Sequence, residues 1–428
     1  MPEVFAPPDM NWPTSLQGEG DIIRERRKEM NTSAVSTPTP RSTRRTRIVC
    51  IGDTHNSTPK LPKGDVLIHA GDLTNQGSYS EISKTIQWLE RADFEAKIVI
   101  AGNHDISLDP DFYSKHGPSF RNYDPQDPER SQSLLASSPT ITYLQHGSAT
   151  VRLSDPKGPA TEFTVFGSPY SPEYRLWAFN YRRSNRGPDD SETHNAAMTS
   201  LSAADLWAAV PEDIDILVTH TPPHGHCDDA HGCPDLQKTL AKVRPRLHVC
   251  GHIHQGRGAE RVRWDTDDLD PEQNVAREAA VEQWQDPNPD PASPKISLID
   301  LTARGGKRPL DFHDPAPPTE AVDGGSCLSD PSRRVPCSPC VSEPESQDRA
   351  GLKDSARGDD TTSICQAPDW GTDSGANSRR QPRSVCRQGR RETCVVNCAI
   401  AATAWPHIGG KRFNKPIVVD VDLPVWRE

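Results

Sequence analysis

Residues 47–55 read Arg-Ile-Val-Cys-Ile-Gly-Asp-Thr-His, and this stretch decides the fold. A short apolar run, fit for a strand buried on both faces, ends in a glycine and two side chains able to bind metal, Asp53 and His55. The same pattern returns along the chain. Val66–Ala70 leads into Gly71-Asp72, and Lys97–Ala101 into Gly102-Asn103-His104-Asp105. Asp215–Thr219 leads into His220, and Leu247–Cys250 into Gly251-His252-Ile253-His254. Phe163–Phe166 is one more strand-like run. Between the second and third runs, Ser78 and Glu81 have capping-box spacing, and Ile82, Ile86 and Leu89 fall on one helical face. Ala203–Val210 and Pro234–Val243 are further helical stretches. Strands alternating with helices give an α/β layout.

In open α/β sheets, ligands gather outside the carboxyl ends of the strands. The pattern therefore collects these side chains at one edge. Carboxylate, imidazole and amide oxygen together make a mixed nitrogen and oxygen set suited to divalent ions. Asp53 and His55, two apart on an extended chain, point to the same side, as do His252 and His254. Any one of these motifs alone is weak evidence, because a loop carboxylate or a hydrogen-bonded core histidine explains it. Five in succession, each after a strand, point to a metal centre.

The rest of the chain carries less. Of 428 residues only 33% are hydrophobic and 41 are proline, with a mean hydropathy of −0.73; this predicts one moderate core with long unstructured segments. We expect a disordered tail over 1–46, a core over 47–256, a largely disordered insertion over 257–390, and C-terminal strands in 391–428 that complete the sheet begun near Arg47. Within the insertion, Pro271–Gln285 looks helical and Lys295–Leu301 strand-like. Thr393–Ala402 and Pro416–Leu423 are the terminal strands.

The net charge of −11 gives no general attraction to nucleic acid or anionic membranes. Arginine clusters at Arg41–Arg47 and Arg379–Arg391 leave a nucleic-acid role open, with a solvated tail the favoured reading. Met1–Met30 has no apolar signal region, and Cys394–Trp405 is too short to span a bilayer. With an odd count of eleven cysteines, several in apolar runs, these features predict no membrane partner and an intracellular, cytoplasmic location, the nucleus being the alternative. Cys337 and Cys340, with Cys327 and Cys365, are too irregularly spaced for a structural zinc. His69 and His248 read as core histidines, and His146 and His194 have no motif around them. His224 and His226 read as a polar loop rather than phosphate ligands. Ser168, Pro169, Trp177 and Asn180 follow a strand end and are candidates to line the site, with core packing the favoured reading for Trp177 and for Phe179.

The segments GDLTNQGSYSEI (71–82), IVIAGNHDISLD (98–109), THTPPHG (219–225) and PRLHVCGHIHQGRG (245–258), together with the Gly52–His55 run, resemble the calcineurin-like metallophosphoesterase superfamily and, within it, the metallophosphoesterase-domain-containing branch. The resemblance covers Arg47–Gly258 and resumes over Cys394–Leu423. It implies a two-sheet β-sandwich flanked by helices. It implies two divalent ions, manganese first, with iron, zinc or magnesium as alternatives. One ion is held by Asp53, His55 and His254, the other by Asn103, His220 and His252, with Asp72 bridging. His104 faces the scissile phosphate and Asp105 orients it. The implied reaction is attack of metal-bridged hydroxide on a small phosphodiester such as a cyclic nucleotide. Two features depart from the protein-phosphatase branch: Asp72 is followed by Leu73-Thr74-Asn75 instead of Arg-Gly, and Asp105 replaces a glutamate. The alternatives are a non-catalytic scaffold that recruits protein partners, whose identity is unknown, through the insertion, or an RNA- or DNA-processing phosphodiesterase.

Overall fold

The computed structural model describes residues 3–4, 42–120, 124–184, 201–270, 275–312, 389–403 and 410–426. All of these belong to one compact unit. Outside them are most of the expected N-terminal tail, the insertion from 313 to 388, its cysteines and His194.

The chain opens with β1 (Glu3–Val4), then β2 (Thr43–Ile51), β3 (Val66–Ala70), α1 (Tyr79–Arg91) and β4 (Ala96–Ile100). Next come α2 (Pro110–His116), α3 (Pro128–Ala136), β5 (Thr142–Tyr143), β6 (Gly147–Arg152), β7 (Glu162–Ser168), β8 (Ser171–Pro172) and β9 (Asn180–Tyr181). After α4 (Ala203–Ala208) follow β10 (Ile216–Thr219), α5 (Pro234–Val243), β11 (Leu247–Cys250), β12 (Gly258–Leu269) and β13 (Ala276–Gln283). The last strands are β14 (Ser297–Asp300), β15 (Glu392–Asn397) and β16 (Ile417–Pro424).

Two main sheets result. One has the order β14-β16-β2-β3-β4-β5, the other β1-β6-β7-β10-β11-β15-β12-β13. Alternation of side chains along the strands explains why the sheets stack. On β2, Ile48 and Cys50 face the layer between the sheets, with Ile68, Ile98, Val165, Val218, Val249 and Val396. Val49 and Ile51 face the other way, against Ile82, Ile86 and Leu89 of α1. Across the second sheet, Leu217 and Val395 meet Trp207 of α4 and Leu236 and Leu240 of α5. The two-sheet sandwich flanked by helices is therefore as expected. Helix α1 starts as its sequence predicts: Ser78 and Glu81 form the reciprocal capping box.

Several expectations need correction. Pro271–Gln285 does not form a helix; its described part is β13, paired antiparallel with β12. Its Glu- and Ala-rich sequence suits a helix, but β13 is a sheet edge with most side chains exposed, so pairing to β12 outweighs local preference. β12, β13 and β14 also give ordered structure to 258–269, 276–283 and 297–300 inside the expected insertion. Two parts of the expected tail are in strands: β2 starts at Thr43, not Arg47, because it continues along β16 from Thr46↔Val421 to Thr43↔Pro424, and Glu3–Val4 pairs with β6. The Arg41–Arg47 cluster is accordingly partly structural: Arg47 makes a bidentate pair with Asp420, both contacts 2.7 Å. The terminal strands, finally, serve different sheets. β16 lies beside β2, whereas β15 enters the other sheet between β11 and β12.

β2, β3 and β4 run parallel, as do β7, β10, β11 and β15. Their carboxyl ends are stitched together where the sheets meet: Gly52 N–H donates to Cys398 O (3.1 Å), Asp53 N–H to Gly71 O (2.9 Å), and Gly251 N–H to His220 O (3.0 Å). Among the described residues no helix is long and apolar enough to cross a membrane.

Candidate metal centre

The stitched edge brings Asp53, His55, Asp72, Asn103, His104, His220, His252 and His254 together. Asp53 (0% exposed) and Asp72 (2%) are buried carboxylates at the centre. Two sets of donor atoms each lie within 4.8 Å of one another: Asp53, His55 and His254 in the first, and Asp53, Asp72 and His220 in the second. His252 stands beside His220, ring centroids 4.9 Å apart, and Asn103 Oδ1 is 3.0 Å from His220 Nε2. Neither is part of the two donor sets.

Backbone geometry shows that the chain is bent to build this edge. Asp53 (φ 49°), His55 (φ 43°), Asp72 (φ 52°) and His252 (φ 66°) all occupy the left-handed region, which residues with a Cβ seldom enter. Two neighbouring glycines leave the room this requires. A Cβ on Gly251 would sit well inside contact distance of Asp53 Oδ2, and one on Gly102 against Asp72 Oδ1. The Asp53 carboxylate also accepts the His252 N–H (2.9 and 3.0 Å), and Asp72 accepts the His104 N–H (2.9 Å).

The histidine rings are held from behind. Nδ1–H of His55 donates to Thr74 O (3.1 Å), that of His220 to Ala70 O (2.9 Å), and that of His104 to Asn75 O (2.8 Å), since a carbonyl oxygen only accepts. A neutral ring fixed this way presents a bare Nε2. His55 Nε2 lies 3.5 Å from Asp72 Oδ2, His220 Nε2 3.3 Å from Asp72 Oδ1, and His254 Nε2 3.5 Å from Asp53 Oδ1.

This arrangement is the test of whether metal fits. Burial pushes His55 down to about 4 against the pull of Asp72, so near neutral pH it is a neutral ring aiming a lone pair at a carboxylate. Lone pair against lone pair is repulsive unless a cation lies between them. Burial likewise pushes His252 down to about 3, reinforced by His220, which keeps its ring available as a neutral donor. His220 shows the complementary response: burial opposes its charge, but Asp72 outweighs this and raises it to about 9. Burial alone would raise Asp53 and Asp72, yet the surrounding imidazoles hold both below the usual carboxylate range. The donors thus demand positive charge at their centre, and their mixed nitrogen and oxygen chemistry suits divalent ions.

Asp105 is placed differently from the expectation. Its buried carboxylate accepts from Gly102 N (2.8 Å), Leu73 N (3.1 Å), Thr74 N (2.9 Å) and Thr74 Oγ1 (2.7 Å), and the His104 ring is oriented by Asn75 O. Asp105 therefore pins the Asp72–Asn75 turn to the Asn103–His104 turn and acts on His104 only through that turn. Trp177, read from sequence as core packing, is half-buried and lies against His104, ring centroids 3.8 Å apart at 32°. It belongs with the site. Its place after a strand end makes it a candidate, but a lone tryptophan carries no local signal that separates site lining from core packing. With Tyr174, Asn180, Asn103 and His252 it lines a small pocket at the centre's edge. Ser168 and Pro169 do not line it, and Phe179 is core.

His69 and His248 are core histidines as read, bonded to Thr54 Oγ1 (2.9 Å) and Thr219 Oγ1 (2.8 Å). His146 Nδ1 meets Ser168 Oγ (3.1 Å). In the loop after His220, His224 is exposed, but His226 is buried between Glu260 and Glu278, so the polar-loop reading fails for it.

A two-sheet sandwich carrying a buried carboxylate and imidazole cluster at its strand ends defines a class of metal-centred α/β protein. The calcineurin-like phosphoesterase profile matches residues 46–256. Relatives agree. The metallophosphoesterase domain-containing protein 1 of Homo sapiens is 38% identical over 229 residues, 50% of this chain and 62% of that protein. The UPF0046 protein K07C11.7 of Caenorhabditis elegans is 34% identical over 230 residues, 52% of this chain and 69% of that one. The probable rhamnogalacturonate lyase C of Emericella nidulans is 40% identical over 222 residues, 51% of this chain but 18% of that protein. The chain thus spans less than two thirds of the first and last of these relatives. It belongs to the calcineurin-like phosphoesterase family.

Proposed function

We propose that this chain is a metal-dependent phosphoester hydrolase, with Asp53, His55 and His254 holding one divalent ion, Asn103, His220 and His252 a second, and Asp72 shared between them. The observation that carries this reading is that the backbone-pinned rings of His55 and His220 aim Nε2 at the buried Asp72 carboxylate while His254 Nε2 faces the buried Asp53 carboxylate. Two divalent ions, manganese foremost, would supply Lewis-acid neutralisation of phosphoryl charge and lower the pKa of water.

The chain's own groups do the rest. Asp53 and Asp72 set the negative charge that draws the ions in. His104, its Nδ1 proton committed to Asn75 O, has Nε2 left to exchange a proton with the leaving oxygen. Trp177 covers one face of that ring and limits its rotation and its access to water. Among the described residues, the pocket beside the centre is lined by the Asn103 and Asn180 amides, the Ser171 and Tyr174 hydroxyls and aromatic rings. This reading takes a singly charged phosphodiester as the substrate class, with cyclic nucleotides the first to screen.

The test is turnover of bis-p-nitrophenyl phosphate and p-nitrophenyl phosphate by protein stripped of metal and reloaded with manganese. Metal-dependent activity that prefers the diester and is lost in His104→Ala supports the reading. Preference for the monoester removes the diester assignment, and no turnover with two ions demonstrably bound removes the enzymatic one.

A further inference from the structure

Three backbone carbonyls converge beneath the metal centre. They belong to Gly251 and Ile253, on the turn that carries His252 and His254, and to Cys227, on the loop that follows His220. Carbonyl oxygens repel one another and need a donor between them. Ile253 O and Gly251 O each accept one backbone N–H, from Gly256 (3.0 Å) and Ile253 (2.7 Å), but a single side chain donates to all three and joins the two segments. Asn397, at the end of β15 and 0% exposed, places its Nδ2 2.9 Å from Cys227 O, 2.9 Å from Ile253 O and 3.5 Å from Gly251 O. Its Oδ1 accepts the Ala399 N–H at 3.2 Å. That bond fixes which end of the amide carries the hydrogens, because the other end faces only acceptors.

We propose that Asn397 is a positioning residue for the metal centre: its amide cross-ties the turn bearing His252 and His254 to the loop that follows His220. The proposal rests on reading the centre as a metal site. Asparagine suits the position because two N–H donors and one acceptor are needed in a plane. Aspartate would set an oxygen against the carbonyls. Serine offers one donor and does not reach both loops. The backbone of β15 cannot substitute, since it is engaged in pairing with β11 and β12. The cross-tie also explains how a residue 144 positions from Ile253 belongs to a site otherwise assembled before residue 255: β15 lies directly beside β11, which ends in the His252 turn.

The experiment uses the full chain as wild type, Asn397→Ser, Asn397→Asp and a control, Thr393→Val. The control removes a different buried hydrogen bond on the same strand, from Trp264 Nε1 to Thr393 Oγ1 (2.9 Å), away from the metal centre. Hydrogen exchange of metal-free protein is read over 224–228 and 251–257, and manganese affinity is measured by calorimetry after chelation. We expect exchange in both segments to quicken by about tenfold in Asn397→Ser, the loss of one net hydrogen bond, and more in Asn397→Asp. Manganese binding should weaken about 10–100-fold. Thr393→Val should change neither. If Asn397→Asp fails to fold, Asn397→Ser still decides. Unchanged exchange in both segments, manganese affinity within about twofold of wild type, or the same pattern in Thr393→Val overturns the proposal. A wild-type chain that binds no manganese is a different failure: it removes the hydrolase reading and takes the metal role of Asn397 with it.

Discussion

The ion cluster at His226 makes stability depend on pH in a way that can be worked out from the structure. The ring is 1% exposed, with Nδ1 2.8 Å from Glu260 Oε2 and Nε2 3.0 Å from Glu278 Oε1. Glu260 comes from β12 and Glu278 from β13. Gln283 and Gln237 of α5 also bond to the two carboxylates, and Cys227 N–H donates to Glu260. His226 therefore fastens the loop after His220 to the β12–β13 hairpin. Burial opposes its charge, but the hydrogen bonds to Glu260 and Glu278 win and raise it from 6.5 to about 9. A raised folded-state value means that the charged ring stabilises the fold fully below about pH 6.5, and that this contribution is lost as pH rises through about 9. At about 1.4 kcal/mol per pH unit the difference corresponds to roughly 3 kcal/mol. Glu278 is 31% exposed, and screening there trims the figure to about 2 kcal/mol. The measurement is urea denaturation of wild type and His226→Gln between about pH 6 and pH 9.5. The wild-type advantage should shrink by about 2 kcal/mol across that range. His220, also raised to about 9, is present in both chains and cancels in the difference. An advantage constant to within about 0.5 kcal/mol would refute the reasoning, since additivity errors are of that size.

Other outcomes follow from the same geometry. His104→Ala should lower turnover of a diester by about 10²–10⁴-fold while leaving manganese stoichiometry unchanged by calorimetry, because the ring is not in either donor set. Gly251→Ala forces a methyl group against Asp53 Oδ2; we expect manganese affinity to fall by about 1–3 kcal/mol, read by the same titration. Removing metal with a chelator should lower the melting temperature. Saturation at about 100 times Kd adds about 2.7 kcal/mol, and a metal-independent melting curve would count against the centre. Asp72→Asn should abolish that metal-dependent gain, since one carboxylate faces both His55 and His220.

Much of the site was legible because its signal is local. A strand buried on both faces needs an unbroken apolar run, and a metal ligand at a strand end must follow that run within a few residues. The proposed ligands Asp53, Asp72, Asn103, His220 and His252 all obey this. Helix α1 was legible for the same reason, its cap and apolar stripe being written within one segment. β13 was not, because an exposed edge strand carries the polar composition of a surface helix and only its partner β12 decides between them.

The amino-acid sequence by itself determined the α/β class, the order of the strands that carry ligands and the identity of the clustered side chains, since each depends on residues adjacent in the chain. Tertiary structure alone decided the rest. It put Asp105 under the Asp72 turn instead of behind His104, and it laid Trp177 on the His104 ring. It buried His226 between two glutamates and carried Asn397 back beneath the His252 turn. Each of these contacts joins segments distant in sequence, and no local period or spacing records which distant group will fill the space beside a side chain.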